Sequence, residues 1–182
     1  MKSKRFVTGI LMLTIVLMLS AWTSSSNQNS TDISLNKDNI HSGFAEIPKG
    51  LKKAKNPTYK VGSQVVVKAR HMKGMYGAKA TIVGAYDTTA YAVTYTPTTG
   101  GPIVKNHKWV IQEEIKNAGI KAFTAGTEVT LEANHKKGMM GAKAIINSAV
   151  RTTVYIIDYT PTTGGPIVKN HKWVIESELS DK

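Results

Sequence analysis

Short runs of β-branched or alternating apolar residues cover most of the chain after residue 58 and predict strands. Residues Gln64 to Lys68 (QVVVK) open the pattern after a glycine, and Ala78 to Tyr86 predict a second strand. Apolar and polar positions alternate from Ala90 to Thr96, which predicts a third strand. The turn sequence PTTGGP follows, and Asn106 to Ile111 predict a fourth strand. Because no segment of useful length has helical periodicity, the predicted fold class is all-β.

The same pattern occurs twice in the chain. Seventeen residues, YTPTTGGPIVKNHKWVI, run from Tyr95 to Ile111 and recur from Tyr159 to Ile175, an offset of 64 positions. This offset also relates the less similar sequence upstream without an insertion or deletion. We therefore predict two modules, at residues 58–118 and 119–182, each with its own hydrophobic core. Five short strands in each module, with a short turn before the last, predict an SH3-like barrel.

The first 25 residues are predicted to be an export signal. After a basic start, an apolar stretch runs from Phe6 to Leu19, which suits a secretory signal better than a membrane span. A tripeptide like the start of a bacterial lipobox follows, but Trp22 stands where the lipid-accepting cysteine would be. We expect an exported protein that is membrane-associated or secreted at the cell surface, with residues 26–57 as a flexible tether.

Methionine and histidine are concentrated at matching places in the two modules. Three of the seven methionines belong to the predicted signal. The candidate metal ligands are His71, Met72 and Met75 in the first module, His135, Met139 and Met140 in the second, and His107 and His171 in the two NHKW runs. Thioether sulfur is soft and suits Cu(I), and neutral imidazole suits copper of either oxidation state. The chain has no cysteine, which fits an oxidising location. The pattern predicts Cu(I) binding.

Each of these residue types also has a structural role in many proteins. Methionine commonly fills gaps in cores, and strand alternation would place His107 beside Trp109 as a hydrogen-bonded structural residue. The net charge of +12 also indicates nucleic-acid binding as a candidate function, because small basic barrels often bind nucleic acid. Exported proteins rarely meet DNA, and the modules lack an aromatic stacking platform. The alternative to copper is therefore a metal-independent module that contacts anionic wall polymers or the membrane surface.

Catalysis is not expected from this sequence. There is no cysteine nucleophile, and we find no paired-carboxylate motif that recurs between the modules. The expected ligand is copper ions, and the expected state is a monomer.

The motifs HxxGMxGA, YTPTTGG and NHKWV resemble the repeated domain of the YdhK-type lipoproteins of Gram-positive bacteria, a family that includes the copper-resistance lipoprotein CopL. The resemblance covers residues 45–179 and implies a non-enzymatic cell-surface protein that sequesters Cu(I) and limits copper toxicity. The first module has the full HM-x-G-M pattern. In the second, Lys136 replaces the first methionine and Met140 takes the position of Tyr76, which predicts two sites of different affinity.

Overall fold

The computed structural model describes residues 47–182 of the 182-residue chain, and they form an all-β fold. The predicted signal, the lipobox-like segment and most of the predicted tether lie outside the described residues. Within the described part, no helix is long and apolar enough to cross a membrane.

Eight strands belong to one antiparallel sheet. They are β1 (Lys52–Lys53), β2 (Gln64–Val67), β3 (Lys79–Tyr95), β4 (Val104–Ile111), β5 (Glu128–Thr130), β6 (Lys143–Tyr159), β7 (Val168–Ile175) and β8 (Leu179–Asp181). Short 3-10 turns, Gln112–Glu114 and Glu176–Glu178, follow β4 and β7. The strand order is β5-β6-β3-β2-β8, with β1 and β4 also paired to β3 and β7 also paired to β6. The all-β prediction is confirmed, but this order does not close on itself, so the predicted SH3-like barrel is not confirmed.

The predicted second and third strands of each module are one continuous strand. Strands β3 and β6 are each 17 residues long, and they pair with each other from Ala80 opposite Tyr159 to Tyr95 opposite Ala144. The expected break at residues 87–89 is absent, because this DTT sequence has no glycine or proline and threonine favours strands. Thr88 pairs with Thr152, its counterpart in the other repeat. An approximate twofold axis therefore passes between these two threonines.

Each of the two outer cores is built from halves of both repeats. The first combines the early part of repeat 1 with the late part of repeat 2, including Val65, Met75, Ile82, Tyr155, Ile157 and Leu179. The second reverses the contributions and includes Val129, Met139, Ile146, Tyr91, Val93 and Ile115. A third core contains Trp109 and Trp173 with equivalent residues of both repeats. The expectation that each module supplies its own core is wrong. Strand β3 leads from the first half of repeat 1 to a second half that packs on the first half of repeat 2, and β6 does the converse.

The unchanged PTTGG turns hold the loop of the opposite repeat. The Thr162 N–H donates to the Gly74 carbonyl at 2.9 Å, and the Thr98 N–H donates to the Gly138 carbonyl at the same distance. Gly74 has φ +79, and a Cβ added there would lie 2.5 Å from Thr163 Oγ1. The turn thus fixes the loop that follows His71, and its twofold counterpart fixes the loop that follows His135.

Replacing Gly74 with alanine should destabilise the fold by more than backbone strain alone. Gly100 is a matched control, because it also has φ +79 but a Cβ there would meet no atom within 4 Å. We expect Gly100→Ala to lower the free energy of unfolding by about 1–2 kcal/mol, the usual penalty of a left-handed residue. Gly74→Ala should cost about 1–3 kcal/mol more, because the methyl group overpacks the contact. Denaturant unfolding measures both, and equal losses would contradict the docking role of the turn.

Candidate metal site

Four histidines, two from each repeat, line one cavity of about 550 Å³. His71 and His135 lie in the loops before β3 and β6, whereas His107 and His171 lie on β4 and β7. The exchange of halves between the repeats explains the convergence, since the second half of repeat 1 lies against the first half of repeat 2. All four predicted histidines are thus associated with a cavity that the two repeats share.

Glu178 holds the ring of His71 from the opposite repeat. Its carboxylate accepts hydrogen bonds from His71 Nε2 at 2.8 Å, Trp109 Nε1 at 2.8 Å and the Ile175 N–H at 3.2 Å. Burial raises the pKa of Glu178, but these hydrogen bonds and the His71 ring outweigh burial, so the pKa lies below its ordinary value. The carboxylate is ionised at neutral pH and only accepts hydrogen bonds, so the Nε2 atom of His71 carries a proton.

Glu114 makes the equivalent contacts on the other side of the twofold axis. It accepts hydrogen bonds from His135 Nε2 at 2.7 Å, Trp173 Nε1 at 3.1 Å and the Ile111 N–H at 3.1 Å. Neither carboxylate is among the candidates from sequence, although Glu114 and Glu178 are separated by the repeat offset of 64. One acid does recur between the repeats, and its recurrence was the available signal.

The second ring nitrogen of each carboxylate-held histidine is available as a ligand. With Nε2 donating to the carboxylate, a neutral ring has its lone pair on Nδ1. The Nδ1 atoms of His71 and His135 are buried and make no hydrogen bond within residues 47–182. Buried polar atoms usually have a partner, and metal-binding histidines usually donate their other N–H to a carboxylate or carbonyl. His71 and His135 therefore fit the role of metal ligands.

The other two histidines have the same sequence context but different surroundings. The ring centroids of His107 and His135 are 6.2 Å apart, and the rings of Tyr95 and His107 form a T-shaped pair with centroids 6.0 Å apart. His171 is only 3% exposed and packs against Tyr159. Each follows an asparagine with positive φ, next to a register shift in the pairing of its strand. Such bulges redirect side chains, so simple strand alternation does not determine where these rings lie.

The methionines are distributed differently from the histidines. Met75 and Met139 are 0% exposed and belong to the two separate outer cores. Met140 is half exposed and is not among the residues that line the cavity. Met72 alone of the four lines it, with Sδ 3.8 Å from the Tyr159 hydroxyl. The cavity is therefore rich in imidazole and has one thioether.

The described residues do not contain a preformed site with three or more His, Cys, Asp or Glu side chains placed to hold a metal ion. Ions that require many hard oxygen ligands do not fit these side chains.

Both halves of the chain match one family. Residues 61–112 and 125–176 each match the family model described as "Protein of unknown function (DUF1541)". The chain belongs to this family. It is 57% identical over 188 residues to the protein described as "Uncharacterized protein YdhK" of Bacillus subtilis strain 168, covering 100% of this chain and 92% of the relative. The sequence-based resemblance to YdhK and the tandem repeat are confirmed.

Solved structures of YdhK are similar to this chain. The crystal structure of the DUF1541 family protein YdhK from Bacillus subtilis has a TM-score of 0.76 at 64% identity, covering 79% of this chain and 97% of that one. The solution NMR structure of the C-terminal domain of YdhK has a TM-score of 0.65 at 66% identity, covering 68% of this chain and 93% of that one. That coverage is more than one repeat can fill, so the solved domain contains sequence matching both repeats.

Proposed function

We propose that this protein is an extracytoplasmic copper-binding protein that sequesters Cu(I) in the cavity lined by the four histidines and contributes to copper tolerance. The observation that carries the proposal is the pair of carboxylate-held histidines, His71 and His135, whose buried Nδ1 atoms make no hydrogen bond within residues 47–182. The proposal also includes export, since a cysteine-free protein with thioether and imidazole ligands suits an oxidising location.

The proposed ligands come from both repeats. His71 and His135 provide Nδ1 atoms, His107 lies beside His135, and Met72 provides a soft sulfur. His171 lines the same cavity. Because the cavity is shared, we propose one copper-binding region per chain in place of one independent site in each module.

Met75, Met139 and Met140 are not included in this ligand set. Bringing Met75 or Met139 to an ion would remove a fully buried side chain from its core, and truncating such a side chain typically costs about 2–5 kcal/mol. Met140 is exposed and does not line the cavity. The proposed site therefore depends mainly on imidazole, with Met72 as its thioether.

Cu(I) suits this site better than a divalent ion for electrostatic reasons. The proposed ligands are uncharged and lysine side chains line the same cavity, so the repulsion on a bound ion rises in proportion to its charge. A singly charged soft ion experiences half the repulsion of a divalent ion and gains the thioether contact.

Replacing His71 and His135 together with alanine should abolish tight copper binding. We expect the affinity for Cu(I), measured by anaerobic titration against a competing chelator, to fall at least ~100-fold, because loss of a supporting residue alone typically costs 10–100-fold. Sulfur-edge absorption spectra should show ligation by a thioether that is lost in Met72→Leu.

The matched control is the double variant Met75→Leu and Met139→Leu. It should bind copper like the parent and lose less than about 1.5 kcal/mol of stability at each site, because leucine and methionine have similar volumes. If the methionine variant loses copper while the histidine variant retains it, the cavity is not the site.

A further inference from the structure

The same cavity is lined by six cationic side chains. They are Lys68, Arg70, Lys105, Lys108, Lys136 and Lys172. Among the described residues of its lining, Glu178 is the one carboxylate, and three donors already engage it. A cleft lined by one sign of charge concentrates ions of the opposite sign. The lining is therefore strongly favourable to anions.

Differences between the repeats place this charge at the cavity. Lys68 and Arg70 of repeat 1 correspond to Glu132 and Asn134 of repeat 2, and neither counterpart lines the cavity. Lys136 takes the position of Met72, and it does line the cavity. At these three positions, every cation lies in the lining of the cavity.

Lys172 contributes a buried cation to this lining. It is only 9% exposed, and its Nζ atom lies 5.6 Å from the centroid of the Trp173 ring. The cations of this lining therefore include one that is largely withdrawn from solvent, where charge is screened less than at the surface.

The size of the cavity fits a ligand of several atoms. Its volume of about 550 Å³ is many times the ~30 Å³ that one water occupies in the liquid. A phosphate group carries concentrated negative charge and accepts hydrogen bonds through several oxygens, which suits a lining with cations from both repeats. We infer that this cavity binds a phosphate-class oxyanion, either as free phosphate or as the phosphodiester of an anionic polymer.

Charge-matched variants of the full chain test this inference. The cavity variant combines Lys68→Gln, Lys105→Gln and Lys136→Gln, and the control variant combines Lys60→Gln, Lys137→Gln and Lys169→Gln, which are exposed lysines outside the cavity lining. Both lose three positive charges, and thermal unfolding verifies that both are folded. Inorganic phosphate is titrated into each by calorimetry at low ionic strength, with a chelator present to remove metal.

We expect phosphate to bind the parent, the affinity to fall at least ~10-fold in the cavity variant, and the control to change less than ~2-fold, since screened charges outside the cavity contribute little. Absence of phosphate binding to the parent, or an equal loss in both variants, overturns the inference. Copper is absent throughout, so the result is independent of the proposed copper site.

A soluble poly(glycerol phosphate) is the second probe and distinguishes the two sources. If the cavity variant loses polymer and phosphate binding together, the ligand is a phosphodiester polymer. If it loses only phosphate binding, the ligand is a free anion. Both of these results support an anion site in the cavity.

Discussion

A single repeat expressed alone is expected to form a dimer. In the full chain, β3 remains extended through Asp87, Thr88 and Thr89, so the two halves of repeat 1 lie in different outer cores. A second copy of the same repeat supplies the missing halves, with Thr88 of each copy pairing on the twofold axis as Thr88 and Thr152 do here. Folding back as a monomer would need a tight turn at residues 87–89, where the sequence has no turn-forming glycine or proline.

Light scattering with size-exclusion chromatography of residues 58–118 measures this directly. The matched variant carries Thr88→Asn and Thr89→Gly, which introduces the Asn-Gly pair favoured in two-residue hairpins. We expect the parent fragment to elute as a dimer and the variant to shift towards a folded monomer. A folded, monomeric parent fragment would contradict the expectation and would mean that the exchange of halves depends on the covalent link between repeats.

Replacing Glu178 with alanine should destabilise the protein by about 3–5 kcal/mol. The carboxylate accepts hydrogen bonds from His71, Trp109 and the Ile175 N–H, and its removal leaves these donors in a largely buried site without their acceptor. Glu132→Ala is the control, because Glu132 is exposed and lies outside this network, and we expect a change within about 0.5 kcal/mol. Chemical denaturation measures both, and similar losses would argue against a structural role for the Glu178 network.

The free energy of unfolding of the parent protein should fall in acid as Glu178 is protonated. Because the folded-state pKa of Glu178 lies below its ordinary value, the stability that it contributes is fully present above the unfolded pKa of about 4.3. That contribution is lost as pH falls below about 4 and through the lower folded-state pKa. Glu178→Gln removes the titrating group, so its stability should fall less steeply with acid than that of the parent. Parallel pH profiles would contradict this assignment.

The sequence predicts the local structure well because the relevant signals are local. β-branched and alternating residues identify the strands, and the offset between Tyr95 and Tyr159 identifies the repeat. The exchange of halves is not predictable in this way, because the apolar positions of a strand are the same whether it packs on its own repeat or on the other. The decisive segment is residues 87–89, which continues β3 where the strand pattern predicted a break.

The candidate site is likewise only partly predictable from the sequence. The histidines are identifiable from composition, but the proximity of His107 to His135 depends on the exchange of halves. Clustering of methionines in sequence suggested ligands, whereas Met75 and Met139 are apolar members of cores that are assembled from distant segments. The role of Glu178 is not predictable from a motif within one module, because its partner His71 lies in the opposite repeat.

The twofold exchange also constrains how this gene can change. When tandem copies fold independently, deletion of one leaves an intact domain, so the duplication is easily reversed. Here each outer core takes one half from each copy, so a chain that lost one copy would complete its cores only by pairing with a second chain. Covalent linkage of the two copies removes this dependence on protein concentration, and it allows equivalent positions such as Met72 and Lys136 to differ within the lining of a single cavity.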